Sequence, residues 1–141
     1  MTHRIAAATL AALVTFAPHA RAQAPPQDPV GQALYPPELV MQHQQALGIT
    51  ADQRAAITAA LEKAQSRMLE IQWDMQGATR KLAELLDAAT VDETAALVQV
   101  DRVLGLEREV KRAQLSLLIR IKNALTREQQ AKLKALRGAE H

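Results

Sequence analysis

The longest hydrophobic pattern of the chain lies between residues 50 and 88. Its apolar side chains alternate four and three residues apart, and they are Ile57, Leu61, Ala64, Met68, Ile71, Met75, Ala78, Leu82 and Leu85. A seven-residue repeat of this kind places one apolar stripe along a helix and is typical of helices that pack lengthwise. The pattern therefore predicts a helix from Thr50 to about Ala88, roughly 57 Å long at about 1.5 Å per residue.

A second, wider hydrophobic stripe follows Thr90 and runs to about Ala124. One row of it consists of Ala96, Val100, Val103, Leu106, Val110, Ala113, Leu117 and Ile121. Beside it, at seven-residue spacing, lie Leu97, Leu104, Leu118 and Leu125, with Lys111 as a break. The linker between the stripes is so short that the two helices must be antiparallel neighbours. The additional row exceeds what one helix contact needs, which predicts a further partner for the second helix.

Two five-residue segments with the same pattern mark helix starts. Residues 49–53 read ITADQ and residues 125–129 read LTREQ. In such a capping box, the Thr hydroxyl accepts a hydrogen bond from the backbone N–H three residues on. The Gln side chain there accepts one from the Thr backbone. The residues predicted to form the two boxes are Ile49, Thr50, Gln53, Leu125, Thr126 and Gln129.

Short helices are predicted on both sides of the hairpin. One runs from Pro37 to about Leu47, and another opens at Thr126 and ends near residue 138. Thr90 and Glu93 form a third capping box before the second long helix. The predicted fold class is all-α, a long antiparallel helical hairpin with short flanking helices, four in all, elongated and dimeric. The helical domain is predicted over residues 37–138.

The first 22 residues have the composition of an export signal. Arg4 precedes a short apolar run from Ile5 to Ala17, and Ala20 and Ala22 supply small residues before a cleavage site. We expect cleavage after Ala22 and a periplasmic location. No membrane-spanning segment is expected, because the apolar run is shorter than the roughly 20 residues that a spanning helix needs. Residues 23–36 are rich in proline and are predicted to form a mobile arm.

The composition and charge of the chain predict the kind of core and the kind of partner. The chain contains no cysteine, so disulfides contribute nothing, and the scarcity of aromatic residues predicts a thin aliphatic core. Residues 23–107 hold 6 Lys/Arg against 12 Asp/Glu, whereas residues 108–141 hold 9 against 3. In an exported chain, a basic end of this kind favours protein or envelope-surface partners and argues against nucleic acid.

Catalysis and metal binding find little support in the sequence. There is no Gly-rich phosphate loop and no supported Ser–His–acid arrangement, so no catalytic residue and no cofactor are predicted. Met41 and His43 are the candidate metal ligands, but their two-residue spacing points them to different sides of a helix. They are expected to bind a divalent transition metal only if another chain completes the site.

A client-binding surface needs exposed apolar groups beside charge. Trp73 falls on the outer face of the first long helix, where it is either covered by a dimer partner or the terminal helices, or left as an apolar patch. A basic cluster on the second long helix is either a plain solvated face or a surface that attracts acidic clients. It consists of Arg108, Lys111, Arg112, Arg120 and Lys122. Trp73, Arg108, Lys111 and Arg112 are the predicted client-surface candidates.

The two capping boxes, in an exported, cysteine-free and four-helix chain, resemble the LTxxQ motifs of the Spy/CpxP family of periplasmic proteins. The related periplasmic heavy-metal resistance and sensor proteins of the CnrX and ZraP types are similar as well. The resemblance covers about residues 36–137, with Ile49 in place of the usual Leu. It implies a thin, curved, all-helical subunit that is usually a homodimer.

The resemblance also implies two kinds of function. Spy-type members bind unfolded proteins without ATP, and CpxP-type members damp an envelope-stress sensor kinase, whereas metal-type members bind zinc, nickel, cobalt or copper. We expect a non-catalytic, ATP-independent periplasmic chaperone or envelope-stress adaptor that binds unfolded periplasmic proteins or a sensor protein. The alternative is a periplasmic heavy-metal sensor or resistance protein.

Overall fold

The computed structural model describes residues 28–139, and every regular element in that range is a helix. The helices are α1 Pro29–Ala33, α2 Pro37–Gln42, α3 Gln44–Leu47, α4 Ala51–Leu86, α5 Glu93–Ala124 and α6 Arg127–Ala139. The predicted all-α hairpin with short flanking helices is confirmed, although the described range holds six helical segments rather than four. The predicted signal segment lies outside the described residues.

Helices α4 and α5 form the hairpin, and the predicted stripes lie at their interface. All nine residues of the α4 stripe are buried or half-buried, as are all eight of the main α5 row. Side chains at the edge of the interface fix the antiparallel register. The Gln99 amide donates to the Ala78 carbonyl at 2.9 Å, and Arg67 pairs with Glu109 across the interface. Arg67 also pairs with Glu70 in its own helix. The hydrogen bond to Glu70, followed by the charge of Glu109, raises the pKa of Arg67.

The turn between the long helices differs from the prediction in its capping residue. Helix α4 ends at Leu86, and α5 is capped by Asp92, whose carboxylate accepts a hydrogen bond from the Ala95 N–H at 3.0 Å. The predicted box at Thr90 is therefore wrong. Asp and Thr both favour the N-cap position, and here the later of the two residues takes it.

The first flanking helix is interrupted, in contrast to the single helix predicted between Pro37 and Leu47. His43 has φ −104° and ψ 14°, which separates α2 from α3. Gly48 then ends α3 with φ 62°, a left-handed conformation that glycine adopts without a side-chain clash.

Residues 28–36, which the sequence placed in a mobile arm, contain a capped helical turn and two buried side chains. The Asp28 carboxylate accepts a hydrogen bond from the Val30 N–H at 3.1 Å and so caps α1. Leu34 and Tyr35 are buried. The packed part of the chain thus begins before residue 37.

Most of the core lies at the open end of the hairpin, where the flanking segments meet α4 and α5. It is a cluster of seven buried residues, Tyr35, Val40, Leu47, Ile57, Ile121, Leu125 and Leu133. A smaller cluster in the middle of the hairpin consists of Ile71, Ala78 and Leu106. Within residues 28–139, no helix has the length and apolar character needed to cross a membrane.

Candidate functional site

The two capping boxes meet at the open end of the hairpin. The Thr50 hydroxyl accepts from the Gln53 N–H at 3.1 Å, and the Thr50 N–H donates to the Gln53 side chain at 3.1 Å. Thr126 and Gln129 make the same reciprocal pair at 3.2 and 2.9 Å. Each box therefore begins one helix, α4 or α6.

The two glutamine side chains also bond to each other, although they are 76 residues apart in sequence. Gln53 Nε2 donates to Gln129 Oε1 at 2.7 Å, and Gln129 Nε2 donates to Gln53 Oε1 at 3.0 Å. The second N–H of each amide is used as well. Gln53 donates to the Ala124 carbonyl at 2.9 Å, and Gln129 donates to the Leu47 carbonyl at 3.2 Å.

This glutamine clasp, formed by Thr50, Gln53, Thr126 and Gln129, fills the hydrogen-bonding capacity of both amides. Each side chain donates twice and accepts twice, which is all that a primary amide can do. Each also reaches the carbonyl end of the element that precedes the other box. The repeated motif thus ties both ends of the hairpin to the flanking helices, in addition to starting two helices.

Basic side chains hold the N-terminal segment on the same end of the molecule. Arg137 donates to the carbonyls of Gly31, Gln32 and Leu34 at 3.3, 3.2 and 2.6 Å, and its guanidinium lies 5.3 Å from the centre of the Tyr35 ring. These contacts satisfy carbonyls at the end of α1, where positive charge is favourable.

Further polar contacts hold the same segment and the neighbouring α3. Lys122 donates to the Ala33 carbonyl at 2.8 Å, and the Tyr35 hydroxyl donates to the Gln130 carbonyl at 3.0 Å. Lys132 donates to the Ala46 carbonyl near the end of α3. Part of the basic charge near the C-terminus therefore has an intramolecular role, which the sequence did not indicate because its partners are backbone carbonyls.

Trp73 lies in α4 beside the middle core cluster of the hairpin, away from the clasp, and 67% of it is exposed in the single chain. It borders a shallow groove of about 470 Å³ between α4 and α5, hereafter the Trp73 groove. The groove is lined by Trp73, Asp74, Gly77, Ala78, Val98, Gln99 and Arg102. Within residues 28–139, no element of the same chain covers the Trp73 ring, whereas cover by a dimer partner stays a prediction. The sequence analysis did not single out Val98.

The other client-surface candidates lie on α5, on the open-end side of Trp73. Arg108 adjoins Glu109, which pairs with Arg67, whereas Trp73 adjoins Asp74, which pairs with Arg102. Arg108, Lys111 and Arg112 are exposed on α5, toward the open end. We call residues 69–106 the turn half and the remaining described residues the open half. The turn half holds 3 Lys/Arg against 7 Asp/Glu, whereas the open half holds 12 against 7. The basic cluster thus belongs to a positive end, and Trp73 to a negative one.

The candidate metal ligands do not form a recognisable donor set. Met41 is 59% exposed on α2, and His43 is half-buried at the break that follows. Met41 lines a groove with Val40, Gln44, Ile49, Arg54, Ile57, Thr58 and Leu61, a set with a cation and without a carboxylate or imidazole. Within residues 28–139 no group of three or more His, Asp or Glu side chains is placed to hold a metal ion. The residues described here do not fit a tight divalent-metal site.

A profile of the heavy-metal resistance family matches residues 5–132, which is most of the sequence. The chain belongs to the heavy-metal resistance family. Members of this family are typically periplasmic, and the family places the chain in the broad group that contains the Spy/CpxP-like proteins. Searches among curated proteins and solved structures gave no match. For this member of the heavy-metal resistance family, the choice between client binding and metal binding therefore rests on its own residues.

Proposed function

We propose that this member of the heavy-metal resistance family is a non-catalytic periplasmic chaperone or envelope-stress adaptor that binds unfolded protein without ATP. The observation that supports the proposal is the distribution of exposed large apolar residues. Of eleven such residues in the described chain, seven lie in the turn half. Leu97 and Leu104 are two of them and are assigned to a dimer contact below. The five left for clients are Leu69, Trp73, Leu86, Val91 and Val98. Apolar side chains clustered on a charged surface are typical of protein-binding sites.

The first test is suppression of aggregation by the protein without its predicted signal segment. We expect equal suppression of an unfolding client with and without EDTA, and without ATP, because apolar surface on a helical hairpin needs no ion. Trp73→Asp should reduce suppression while the helical circular dichroism is unchanged, since the ring is exposed. Ile119→Asp, at an exposed apolar residue of the open half, is the matched control. Suppression that disappears in EDTA would contradict the proposal.

We also infer that the functional unit is a homodimer. The second apolar row of α5 is covered at the open end, where Leu125 is buried and Leu118 half-buried, but Leu97 and Leu104 are exposed. Intramolecular packing thus accounts for only half of the row. A second copy seated on Leu97 and Leu104 would cover the rest.

Sedimentation at micromolar concentration tests the dimer. The protein should have about twice the monomer mass, and Leu104→Glu should shift it to monomer without loss of helix, because a charge in an apolar contact is unfavourable. Leu115→Glu, at an exposed residue outside the row, should leave the dimer intact. A monomer at every accessible concentration would contradict the inference.

Membership of the heavy-metal resistance family favours a second candidate function, that of a metal sensor or resistance protein. Metal binding at His43 and Met41 would require further ligands, either from outside the described residues or from a second chain. Calorimetry with zinc, nickel, cobalt and copper tests it. Stoichiometric binding at micromolar affinity or tighter, lost in His43→Ala, would make metal binding the primary function.

A further inference from the structure

The Trp73 groove combines the features of a peptide-binding site. Trp73 and Val98 are its large apolar side chains, and they are 67% and 65% exposed. Gly77 and Ala78 are its small residues, and a Cβ added at Gly77 would meet no atom within 4 Å. Tryptophan is enriched among the residues that contribute most of the binding energy of protein contacts. A polar pair, Asp74 and Arg102 at 3.7 Å, completes the lining.

The charge around the groove selects among partners. The turn half has a net charge of −4, from 3 Lys/Arg against 7 Asp/Glu. Two of its three cations already have carboxylate partners, since Lys81 lies 3.9 Å from Glu84 and Arg102 lies 3.7 Å from Asp74. The adjoining groove is lined by three carboxylates, Asp74, Asp101 and Glu109. Its two cations, Arg67 and Arg102, both have carboxylate partners. The field around the exposed apolar side chains is therefore negative and attracts cationic chains.

We propose that the Trp73 groove binds extended segments in which an apolar or aromatic side chain stands beside lysine or arginine. The inference rests on the proposed client-binding function and names its substrate class. The apolar side chain occupies the space over Gly77 and contacts Trp73 and Val98. The flanking cations lie near the acidic residues of the turn half. The basic cluster at Arg108, Lys111 and Arg112 lies in the other half and takes no part.

The fluorescence emission of Trp73 can report peptide binding directly, because Trp73 is the only tryptophan of the sequence. Three peptides without tryptophan are titrated against the protein lacking its predicted signal segment. The first has a Leu–Phe–Leu core flanked by lysines, the second has the same core flanked by glutamates, and the third has the lysines with a serine core. The first should shift the Trp73 emission to shorter wavelength and saturate. The other two should bind at least about tenfold more weakly, and salt should weaken the first.

Two glycine substitutions separate the groove from the fold. Gly77→Leu fills the groove and replaces a poor helix former with a good one, so it should abolish peptide binding without loss of helix. Gly138→Leu also replaces a helical glycine whose added Cβ meets no atom within 4 Å, but Gly138 lies in α6 and does not line the groove. It should bind the first peptide as the unchanged protein does. Asp101→Lys should weaken binding of the first peptide and strengthen that of the second.

Several results would overturn the inference. Equal affinity for the lysine and glutamate peptides would show that charge does not select the partner. Equal effects of Gly77→Leu and Gly138→Leu would place binding elsewhere. A Trp73 emission that is unchanged by peptide and shifts with protein concentration would show that a second copy covers the groove. Aggregation assays on one basic and one acidic client separate the two proposals. Suppression of both clients with no peptide selectivity would contradict only the groove, whereas suppression of neither would contradict the chaperone function.

Discussion

Replacing Leu133 by alanine should lower the free energy of unfolding by about 2–5 kcal/mol, the range for loss of a buried leucine side chain. Leu133 is 0% exposed and belongs to the main core cluster, together with Tyr35, Ile121 and Leu125. It is the buried residue of α6. Its truncation leaves a cavity at the point where α6, α5 and the N-terminal segment meet.

Denaturant titration at one fixed protein concentration measures this effect, since dimerisation makes apparent stability depend on concentration. Ile119→Ala is the control. Ile119 is 42% exposed, so its truncation should cost well under 1 kcal/mol beyond any change in helix propensity. Equal losses in the two variants would show that α6 is not anchored by the core.

Replacing Gln129 by alanine should destabilise the protein by about 2–3 kcal/mol, because it removes the bonds of one amide and leaves partly buried partners unsatisfied. The Leu47 carbonyl loses its donor, and the Gln53 amide loses both of its bonds to Gln129. Gln53→Ala should have a similar effect. The double variant should cost less than the sum of the two, since the glutamines are each other's partners.

Two controls distinguish the clasp from an ordinary helix cap. Thr50→Ala and Thr126→Ala each remove a cap but leave the Gln–Gln pair, so each should cost about 1 kcal/mol. Gln65→Ala, at an exposed position of α4, should be within about 0.5 kcal/mol of neutral. If Gln129→Ala costs no more than Thr126→Ala, the pair between the boxes contributes nothing.

The hairpin was predictable because lengthwise helix packing requires apolar residues at a regular spacing in the sequence. The spacing from Ile57 to Leu85 predicts both the helix and its buried face without information from any other part of the chain. Local competition between similar signals was harder to resolve. Thr90 and Asp92 are both good N-caps, two residues apart, and the choice depends on where the turn from α4 lets α5 begin. The helix break at His43 could not be predicted, because no proline or glycine lies at that position.

The tertiary role of the repeated motif was not predictable from either copy. Each five-residue box predicts a local helix cap, but neither sequence predicts that the side chains of Gln53 and Gln129 will form hydrogen bonds with each other. The contacts of Arg137 and Lys122 could not be predicted from the sequence either. Their acceptors are backbone carbonyls, which every residue has, so no residue type marks them. For Trp73, helical periodicity gives the outer face, but exposure follows only from where the short elements dock. They dock at the open end, far from it.

The clasp also has a consequence for the order of folding. Contacts near the turn join residues close in sequence, whereas the clasp joins residues 76 apart and closes a much longer loop. We therefore expect the contacts between α4 and α5 to form first near the turn and then toward the open end. The two glutamines should pair only after the rate-limiting step of folding. In stopped-flow measurements, Gln129→Ala should then leave the refolding rate nearly unchanged and accelerate unfolding. A slower refolding rate with unchanged unfolding would place the clasp in the transition state. By this reasoning the repeated motif determines how long the folded state lasts, while the heptad stripe determines how fast it forms.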